Sequence, residues 1–347
     1  MAEFRVEQVL NPQDFLQEAA SLGCDDCGMN FALGPLADSF LQGKKPIDVV
    51  RKVYVVYRGD ALVLAFVGIA SMARFLCTPR AAQLNAQDIP AAMSLLTSAL
   101  ASAEGPEAVD KLSGRRDLVD AFIDAWIAEL STRGIDASGL PPTFPVKSSY
   151  ASLATLPQPV LLPPGYRIEP ATDVDVDTLT ALLIAFASDV RMPQAVEIVR
   201  PRAVEHIACG EAWMCLSEDG EPAAACVVGR ASLRTIAIRS LYVAPAHRRK
   251  GLARAFVTSM TRYFLGAEAH GIVALASPSA FEKGVKEEVC ICVQDDYVEE
   301  IYAKCGFQFA ESPEVPWKGE KSWFPLQIRA VKVEQGLGES AGAVLIS

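Results

Sequence analysis

The sequence is poor in histidine and has one closely spaced cysteine pair, which argues against a metal or redox centre. Its 347 residues include three histidines and nine cysteines. Cys24 and Cys27 form a C-x-x-C, but no second pair follows at the spacing of a zinc site. Most other cysteines lie in apolar segments such as ACVVG, where a thiol packs as a small hydrophobe. We therefore predict that the protein binds no metal.

Long apolar runs and a basic net charge are also missing. The longest apolar stretches, such as residues 61–70, are shorter than the roughly 20 residues of a membrane helix. The N-terminal MAEFRVEQVL lacks the basic start and apolar core of a signal peptide. A net charge of -10 disfavours nucleic acid, whose binding depends on many phosphate contacts. We expect a cytoplasmic protein that has neither nucleic acid nor membrane as a partner.

The length of the chain and its proline-rich stretches predict two domains joined by a linker. A hydrophobic content of 51% is enough for two well-packed cores in 347 residues. The stretches PPTFP (141–145) and LPQPVLLPPGY (156–166) predict extended chain, because proline fixes φ and removes a hydrogen-bond donor. We predict domains at 1–150 and 166–330, a linker at 151–165 and a flexible, Gly-rich tail at 331–347.

Residues 166–330 show the pattern of an α/β domain built around a mixed sheet. Apolar residues at helical spacing predict helices from Asp173 to Ala187 and from about Gln194 to Cys209. Asp219-Gly220 is a hairpin signal between two apolar runs. The predicted order is β-α-α-β-β-β-α-β-α-β. Residues 1–150 repeat part of this order more faintly, as β-α-β-β-α.

A cluster of basic residues interrupts the otherwise acidic chain. Arg248, Arg249, Lys250 and Arg254 surround Gly251, between a predicted strand ending in LYV and a predicted helix. The first N–H groups of a helix lack internal partners, and the helix dipole adds positive charge there. Such a helix start binds anions, phosphate in particular, and glycine lets the backbone approach the ligand closely. We therefore predict a phosphate-binding loop at this point.

The spacing R-x-x-G-x-A of residues 248–253 resembles the acetyl-CoA signature of the GCN5-related N-acetyltransferases, the GNAT family. It matches neither the P-loop nor the dinucleotide glycine pattern. Family members continue with a strand, a helix that carries a tyrosine, and Gly-Phe, which EEVCICVQDDYVEEIYAKCGF (287–307) supplies in order. Some members have a degenerate first domain. The resemblance thus implies an α/β protein with two GNAT-like domains, each a mixed, mostly antiparallel twisted sheet flanked by helices.

The resemblance also implies which residues bind acetyl-CoA, the expected cosubstrate, and which one acts as the acid. Tyr302 is the candidate acid that protonates the leaving thiolate, although its register on the inner helix face also fits a core tyrosine. A backbone N–H of the preceding strand would polarise the thioester carbonyl. The implied acetyl-CoA-binding residues are Leu241, Tyr242, Val243, Arg248, Arg249, Lys250, Gly251, Leu252, Ala253 and Asp295.

Two positions depart from the family pattern, and one segment is unusually long. Asp295 stands where many members have asparagine, so it accepts hydrogen bonds but donates none. The strand TIAIRSLYV lacks the glutamate that many members use as a base, and Arg239 occupies that neighbourhood. The base remains open between a water chain and a side chain, for which the candidates are Asp189, His206 and Glu211. Residues 266–286 form either a lid or an insertion.

The acceptor pocket implied by the resemblance lies against the first two helices of the second domain, facing the N-terminal half. Its candidate lining residues are Asp189, Arg191, Met192 and Trp213. The expected activity is acetyl-CoA-dependent N-acetylation of a small-molecule amine, by a monomer or a homodimer. The alternatives are a protein N-acetyltransferase, a CoA-binding regulator without turnover, and an interaction protein that uses the basic cluster on an acidic partner or RNA.

Overall fold

The computed structural model describes residues 3–40, 50–69, 74–80, 82, 84–273, 285–294, 296–308 and 324–333. The N-terminal half begins with a strand and two helices, continues with three strands, and ends with a helix, a strand, a helix and two strands. Its strands are β1 (Phe4–Gln8), β2 (Val50–Arg58), β3 (Ala61–Ile69), β4 (Arg74–Cys77), β5 (Lys111–Arg115), β6 (Ala137–Gly139) and β7 (Thr143–Ala151). Its helices are α1 (Pro12–Ser21), α2 (Asn30–Phe40), α3 (Asp88–Glu104) and α4 (Arg116–Thr132).

The C-terminal half repeats the same order of elements. Its strands are β8 (Arg167–Pro170), β9 (Ala212–Leu216), β10 (Pro222–Gly229), β11 (Thr235–Val243), β12 (Glu288–Val293) and β13 (Phe324–Val333). Its helices are α5 (Val176–Asp189), α6 (Val196–Ala208), α7 (Leu252–Phe264) and α8 (Asp296–Ala303). The predicted α/β fold with two matching halves is confirmed. The sequence pattern of the first half does not predict α2, α3, β4, β5, β6 or β7.

The two halves form one continuous sheet through an exchange of their closing strands. The described strands follow the order β1-β2-β3-β4-β5-β13-β7-β12-β11-β10-β9-β8, with β6 beside β13. The last strand of the chain, β13, pairs with β5, and β7 pairs with β12. Strands β7 and β13 pair with each other in the middle. Among the described strands, β4–β5 and β11–β12 are the parallel pairs and the others are antiparallel, so each half is a mixed, mostly antiparallel sheet.

The sheet includes parts of two segments for which the sequence predicted no strand. Strand β7 begins at Thr143, so the proline-rich stretch 141–145, inside the predicted domain 1–150, runs into the sheet. Pro145 is tolerated because β12 pairs with β7 only from Lys147 onward, and the register with β13 shifts next to it. Strand β13 extends to Val333, so residues 331–333 of the predicted tail belong to the sheet. We retain the division at residues 151–165 as a proposal.

Strand alternation divides the core of the C-terminal half between the two faces of the sheet. Trp213 and Cys215 of β9 face α7, where Phe256 and Met260 are fully buried. Met214, between them, faces α5 and α6. Burial of one such large apolar side chain contributes about 1.5–3 kcal/mol. The seven buried cysteines, Cys24, Cys27, Cys77, Cys215, Cys226, Cys290 and Cys305, pack as free thiols, as predicted.

Helix α2 of the N-terminal half packs tightly on the turn between β10 and β11. A Cβ atom on Gly34 would lie 2.5 Å from Cβ of Arg230, so only glycine allows this approach. Asn30 Nδ2 donates to the Arg230 carbonyl oxygen at 2.9 Å and to Thr235 Oγ1 at 2.8 Å. These contacts fix α2 against the face of the C-terminal half that carries α5 and α6.

A buried cluster of charges joins the halves on the other side of α2. The backbone N–H of Cys27 donates to Glu288 Oε2 at 2.8 Å, and the Arg80 N–H donates to Asp26 Oδ2 at 2.8 Å. The Arg80 guanidinium also pairs with Glu288. Burial raises the pKa of Glu288 to about 7 and the pKa of Asp26 to about 6, and Arg80 offsets only part of this effect.

Candidate functional site

Strand β11 pairs with β12 over its first half only, and a β-bulge interrupts its pairing with β10. Its register with β10 shifts between the pairs Val227–Ser240 and Val228–Ile238, which leaves Arg239 as the extra residue of a β-bulge. Pairing with β12 ends at Ile238. Residues 240–243 therefore pair with β10 alone among the described strands. Leu241, Tyr242 and Val243, predicted to bind acetyl-CoA, lie on this open half of the strand.

The loop after β11 has the backbone geometry of an anion site. Arg249 and Gly251 have φ values of 61° and 77°, and Gly251 is the N-cap of α7. No side chain caps this helix start, and a Cβ on Gly251 would meet no atom within 4 Å. Alternating left-handed and right-handed residues turn successive N–H groups toward one point. The N–H groups of Leu252 and Ala253 are thus suited to a phosphate group.

The basic side chains of the loop make contacts within the protein. Arg248 Nε donates to the Val243 carbonyl oxygen at 2.9 Å, and Arg248 Nη2 lies 2.7 Å from Asp189 Oδ2. Lys250 Nζ donates to the Tyr166 hydroxyl at 3.3 Å. Arg248 therefore links the loop to the end of α5, whereas the side chain of Arg249 is exposed.

Tyr302 points into the core from α8, beside the start of α7. Its side chain is buried, and its ring lies 6.0 Å from the ring of Phe307. Burial raises the pKa of the Tyr302 hydroxyl well above its ordinary value, so it keeps its proton. Cys305 Sγ, at the end of this helix segment, is 3.6 Å from the Arg254 carbonyl oxygen in the first turn of α7. Helix α8, which carries Tyr302, therefore packs against α7.

A cavity of about 260 Å³ lies on the opposite face of the sheet, between the two halves of the chain. Pro35 and Asp38 of α2 form one wall of it. Helices α5 and α6 form the other walls, and Arg239 and Ser240 of the bulge form its floor. The N-terminal half thus contributes directly to the pocket that lies next to the open half of β11.

One of the four predicted acceptor-site residues lines this cavity. Met192 does so, whereas Asp189 is paired with Arg248 and does not line it. Arg191 is exposed in a left-handed turn after α5, with φ of 59°. The placement of Trp213 in the pocket was wrong. Its ring packs against Tyr263 and Phe264 on the α7 face, because strand alternation turns it away from α5 and α6.

His206 and Glu211, two of the base candidates left open by the sequence, are in direct contact at the cavity. His206 Nδ1 lies 2.6 Å from Glu211 Oε2, and both residues line the cavity. The sequence signal that brings them together is the glycine at position 210, which ends α6 with a φ of 67°. When a helix ends at such a glycine, a histidine in its last turn and a glutamate directly after the glycine are predicted to have neighbouring side chains.

Some predicted features lie outside the described residues. They include Asp295 and residues 274–284 of the segment 266–286. In the part of the chain that is described, no helix combines the length and apolarity of a membrane span. The same residues contain no group of three or more histidine, cysteine, aspartate or glutamate side chains arranged to hold a metal ion.

Comparison with known proteins identifies a family for the second half. Residues 179–307 match the model of the acetyltransferase (GNAT) family. A search of the curated proteins found no significant match. These matched residues include β9 to β12, the loop at 248–253 and Tyr302, which are the elements of the candidate site.

Solved structures resemble the chain over most of its length. A Drosophila protein aligns with a TM-score of 0.55 and 10% identity, covering 94% of this chain and 98% of its own. A tandem GNAT protein from the clavulanic acid biosynthesis pathway aligns with a TM-score of 0.48 and 13% identity, covering 94% and 98%. A GNAT-family acetyltransferase from Colwellia psychrerythraea aligns at 0.47 and 12%, covering 94% and 99%. At such identities, the first alignment shows a shared fold alone.

Proposed function

Residues 179–307 of this chain form a domain of the acetyltransferase (GNAT) family, and we propose that the protein transfers the acetyl group of acetyl-CoA to a small-molecule amine. The observation that carries the proposal is the bulged strand β11, which borders the phosphate-binding geometry at one end and the cavity at its centre. The N–H groups at the start of α7 bind the diphosphate of CoA. The open half of β11 holds the arm that leads to the thioester.

The proposed reaction is direct attack of a neutral amine on the thioester carbonyl carbon. A backbone N–H of the open half of β11 stabilises the charge that develops on the carbonyl oxygen. Tyr302 Oη donates a proton to the leaving sulfur. Because burial raises the pKa of Tyr302 above that of a thiol, near 8.5, we expect the hydroxyl to regain a proton from the attacking nitrogen in the same step.

The size and charge of the cavity favour a small amine over a protein terminus. Its volume of about 260 Å³ lies just below the range of typical ligand pockets, which are roughly 300–1,000 Å³. Helix α2 walls the cavity on one side and narrows the space for a peptide. The carboxylates of Asp38, Glu205 and Glu211 line it and outnumber the guanidinium groups of Arg202 and Arg239, which favours an ammonium group. We further propose a cytoplasmic location.

A CoA-binding regulator without turnover is the second candidate. The observation that favours it is Arg239, which occupies the bulge of β11, where the resemblance to the family leads us to expect a carboxylate base. This candidate predicts binding of CoA and no release of free thiol.

The test is incubation of the protein with acetyl-CoA and a panel of amines, with a thiol-detecting reagent as readout. The panel contains free amino acids, polyamines and short peptides with free N-termini. We expect thiol release with at least one small amine and none with the peptides. Thermal stabilisation by CoA without thiol release would support the regulator. Turnover of the peptides alone would contradict the small-molecule assignment.

A further inference from the structure

We infer that His206 accepts the proton of the incoming ammonium group and that Glu211 orients its ring; this inference rests on the proposed acetyl transfer. The first argument is how the chain ends α6. The N–H of Glu211 donates to the His206 carbonyl oxygen at 2.8 Å, and the Gly210 N–H donates to the Ile207 carbonyl oxygen at 2.9 Å. This is a Schellman motif, with Gly210 left-handed. This motif folds the chain back over the last turn of α6 and places Glu211 beside His206.

The second argument is the state of the His206 ring. Its Nδ1 lies 2.6 Å from Glu211 Oε2, and the side chains are 14% and 4% exposed. A carboxylate at that distance accepts the Nδ1 hydrogen, so that in the neutral ring the lone pair is on Nε2. With Nδ1 engaged by Glu211, Nε2 is the ring atom that can accept a proton from a group bound in the cavity. Glu211 therefore acts as a positioning residue.

The third argument is the position of the pair relative to β11. His206 and the bulge residues Arg239 and Ser240 line the same cavity. An amine bound there lies between the imidazole and the open half of the strand. Asp189, another base candidate, does not line the cavity and pairs with Arg248. The charged groups that line the cavity around the imidazole, and that bear on its titration, are Asp38 of α2, Arg202 and Glu205 of α6, Glu211, and Arg239 of β11.

The proton balance of the reaction defines what His206 does. The acceptor enters as an ammonium ion with three N–H protons and leaves as an amide with one. One proton moves to Nε2 of His206 before the attack and is later released to solvent. The nitrogen lone pair then forms the C–N bond, and the C–S bond breaks. The second proton ends on the CoA sulfur through Tyr302, so the products are the amide, the free thiol and one proton.

The activity test compares His206→Gln and Glu211→Gln with wild type, using the best amine of the panel from about pH 5.5 to 9.5. We expect His206→Gln to lower kcat/KM near pH 7 roughly 100- to 10,000-fold. Its kcat/KM should keep rising with pH toward the pKa of the free amine, because solvent must then deprotonate the ammonium. Glu211→Gln should lie between the two. His270→Gln, at a half-buried histidine outside the cavity lining, is the matched control and should leave the profile unchanged.

Binding of CoA, measured by calorimetry, should be the same in all these variants. Wild-type activity and an unchanged pH profile in His206→Gln would overturn the role of His206 alone. Absence of turnover in wild type, with every amine, would overturn the proposed function and this inference with it. A readout independent of turnover is the ¹⁵N chemical shift of the imidazole at about pH 8. We expect hydrogen on Nδ1 and none on Nε2; the reverse tautomer would contradict the proposal.

Discussion

Arg248 is bound to Asp189, with 2.7 Å between Nη2 and Oδ2, so the first basic residue of the anion loop is held at the end of α5. Its guanidinium also lies 5.2 Å from the ring centre of Tyr242. The pair is exposed, at 44% and 53%, and such pairs contribute little to folding stability. The ion pair instead fixes the position of the loop, because Arg248 joins the predicted cosubstrate loop to α5, which borders the proposed acceptor cavity.

Substitutions of Arg248 and of Asp189 should change the affinity for CoA in opposite directions. Arg248→Ala should raise the Kd of CoA roughly tenfold, since it removes a charged hydrogen-bond donor from the diphosphate site. Asp189→Asn should lower the Kd, because it releases the guanidinium toward the phosphates, and should change the free energy of unfolding by less than about 1 kcal/mol. Calorimetry with CoA checks both. If Asp189→Asn weakens binding as much as Arg248→Ala does, Arg248 positions the loop and does not bind phosphate.

Gly251→Ala tests the backbone geometry of the loop. Gly251 has a φ of 77° in open space, so alanine there meets no clash and costs about 1–2 kcal/mol of backbone strain. We expect weaker CoA binding, because the relaxed backbone turns its N–H groups away from one point. Gly220→Ala is the matched control, since Gly220 has a φ of 80° and equal space in the β9–β10 turn. It should lose similar stability in urea unfolding and keep the Kd of CoA. Equal CoA affinity in both variants would contradict the anion site.

The loop and the helices of the C-terminal half were predictable because their signals are local. The basic residues, Gly251 and the strand before them are contiguous, and glycine adopts the left-handed conformation found at the N-cap of α7 without strain. The contact of His206 with Glu211 is equally local, through Gly210. Local signals of this kind carry most of the element order.

The features that sequence missed depend on which distant segments meet. The pairing of β13 with β5 joins segments about 200 residues apart and leaves no local trace. The start of β7 within 141–145 was not predicted because proline disfavours a sheet interior, and Pro145 is tolerated only where the pairing of β7 with β12 has ended. The error at Trp213 has the same origin, since a strand pattern shows two faces but not which helices cover each.

Tyr302→Phe separates an acid from a core tyrosine. If Tyr302 is the acid, removal of its hydroxyl should lower kcat roughly 100- to 10,000-fold and leave the affinity for CoA unchanged. Because burial raises its pKa well above the ordinary value, it stays protonated in the assay range, and the pH profile should keep its shape at a lower height. Tyr297→Phe, on the same helix but 71% exposed, is the control. Full activity in Tyr302→Phe would contradict the acid role and show that Tyr302 only packs in the core.

The buried cluster between the halves predicts a stability that declines as pH rises. Glu288 has a pKa raised to about 7 by burial, against an ordinary value near 4.5, so between these values the folded state holds more protons than the unfolded state. The free energy of unfolding therefore falls as pH increases through this window, by about 1.4 kcal/mol for each unit of pKa difference that burial maintains. Asp26, raised to about 6, adds to the fall at the lower end of the window.

Glu288→Gln keeps the shape and the hydrogen-bond acceptor for the Cys27 N–H but cannot ionise. Urea unfolding of wild type and variant at pH 4.5, 5.5, 6.5 and 7.5 should show wild type losing stability relative to the variant as pH rises. Glu287→Gln is the control, because Glu287 is 58% exposed and pairs with Arg234 at the surface. It should keep the wild-type slope, since an exposed pair changes little with pH in this range. If Glu288→Gln also keeps that slope, Glu288 is already ionised in the folded protein and Arg80 fully offsets the cost of its burial.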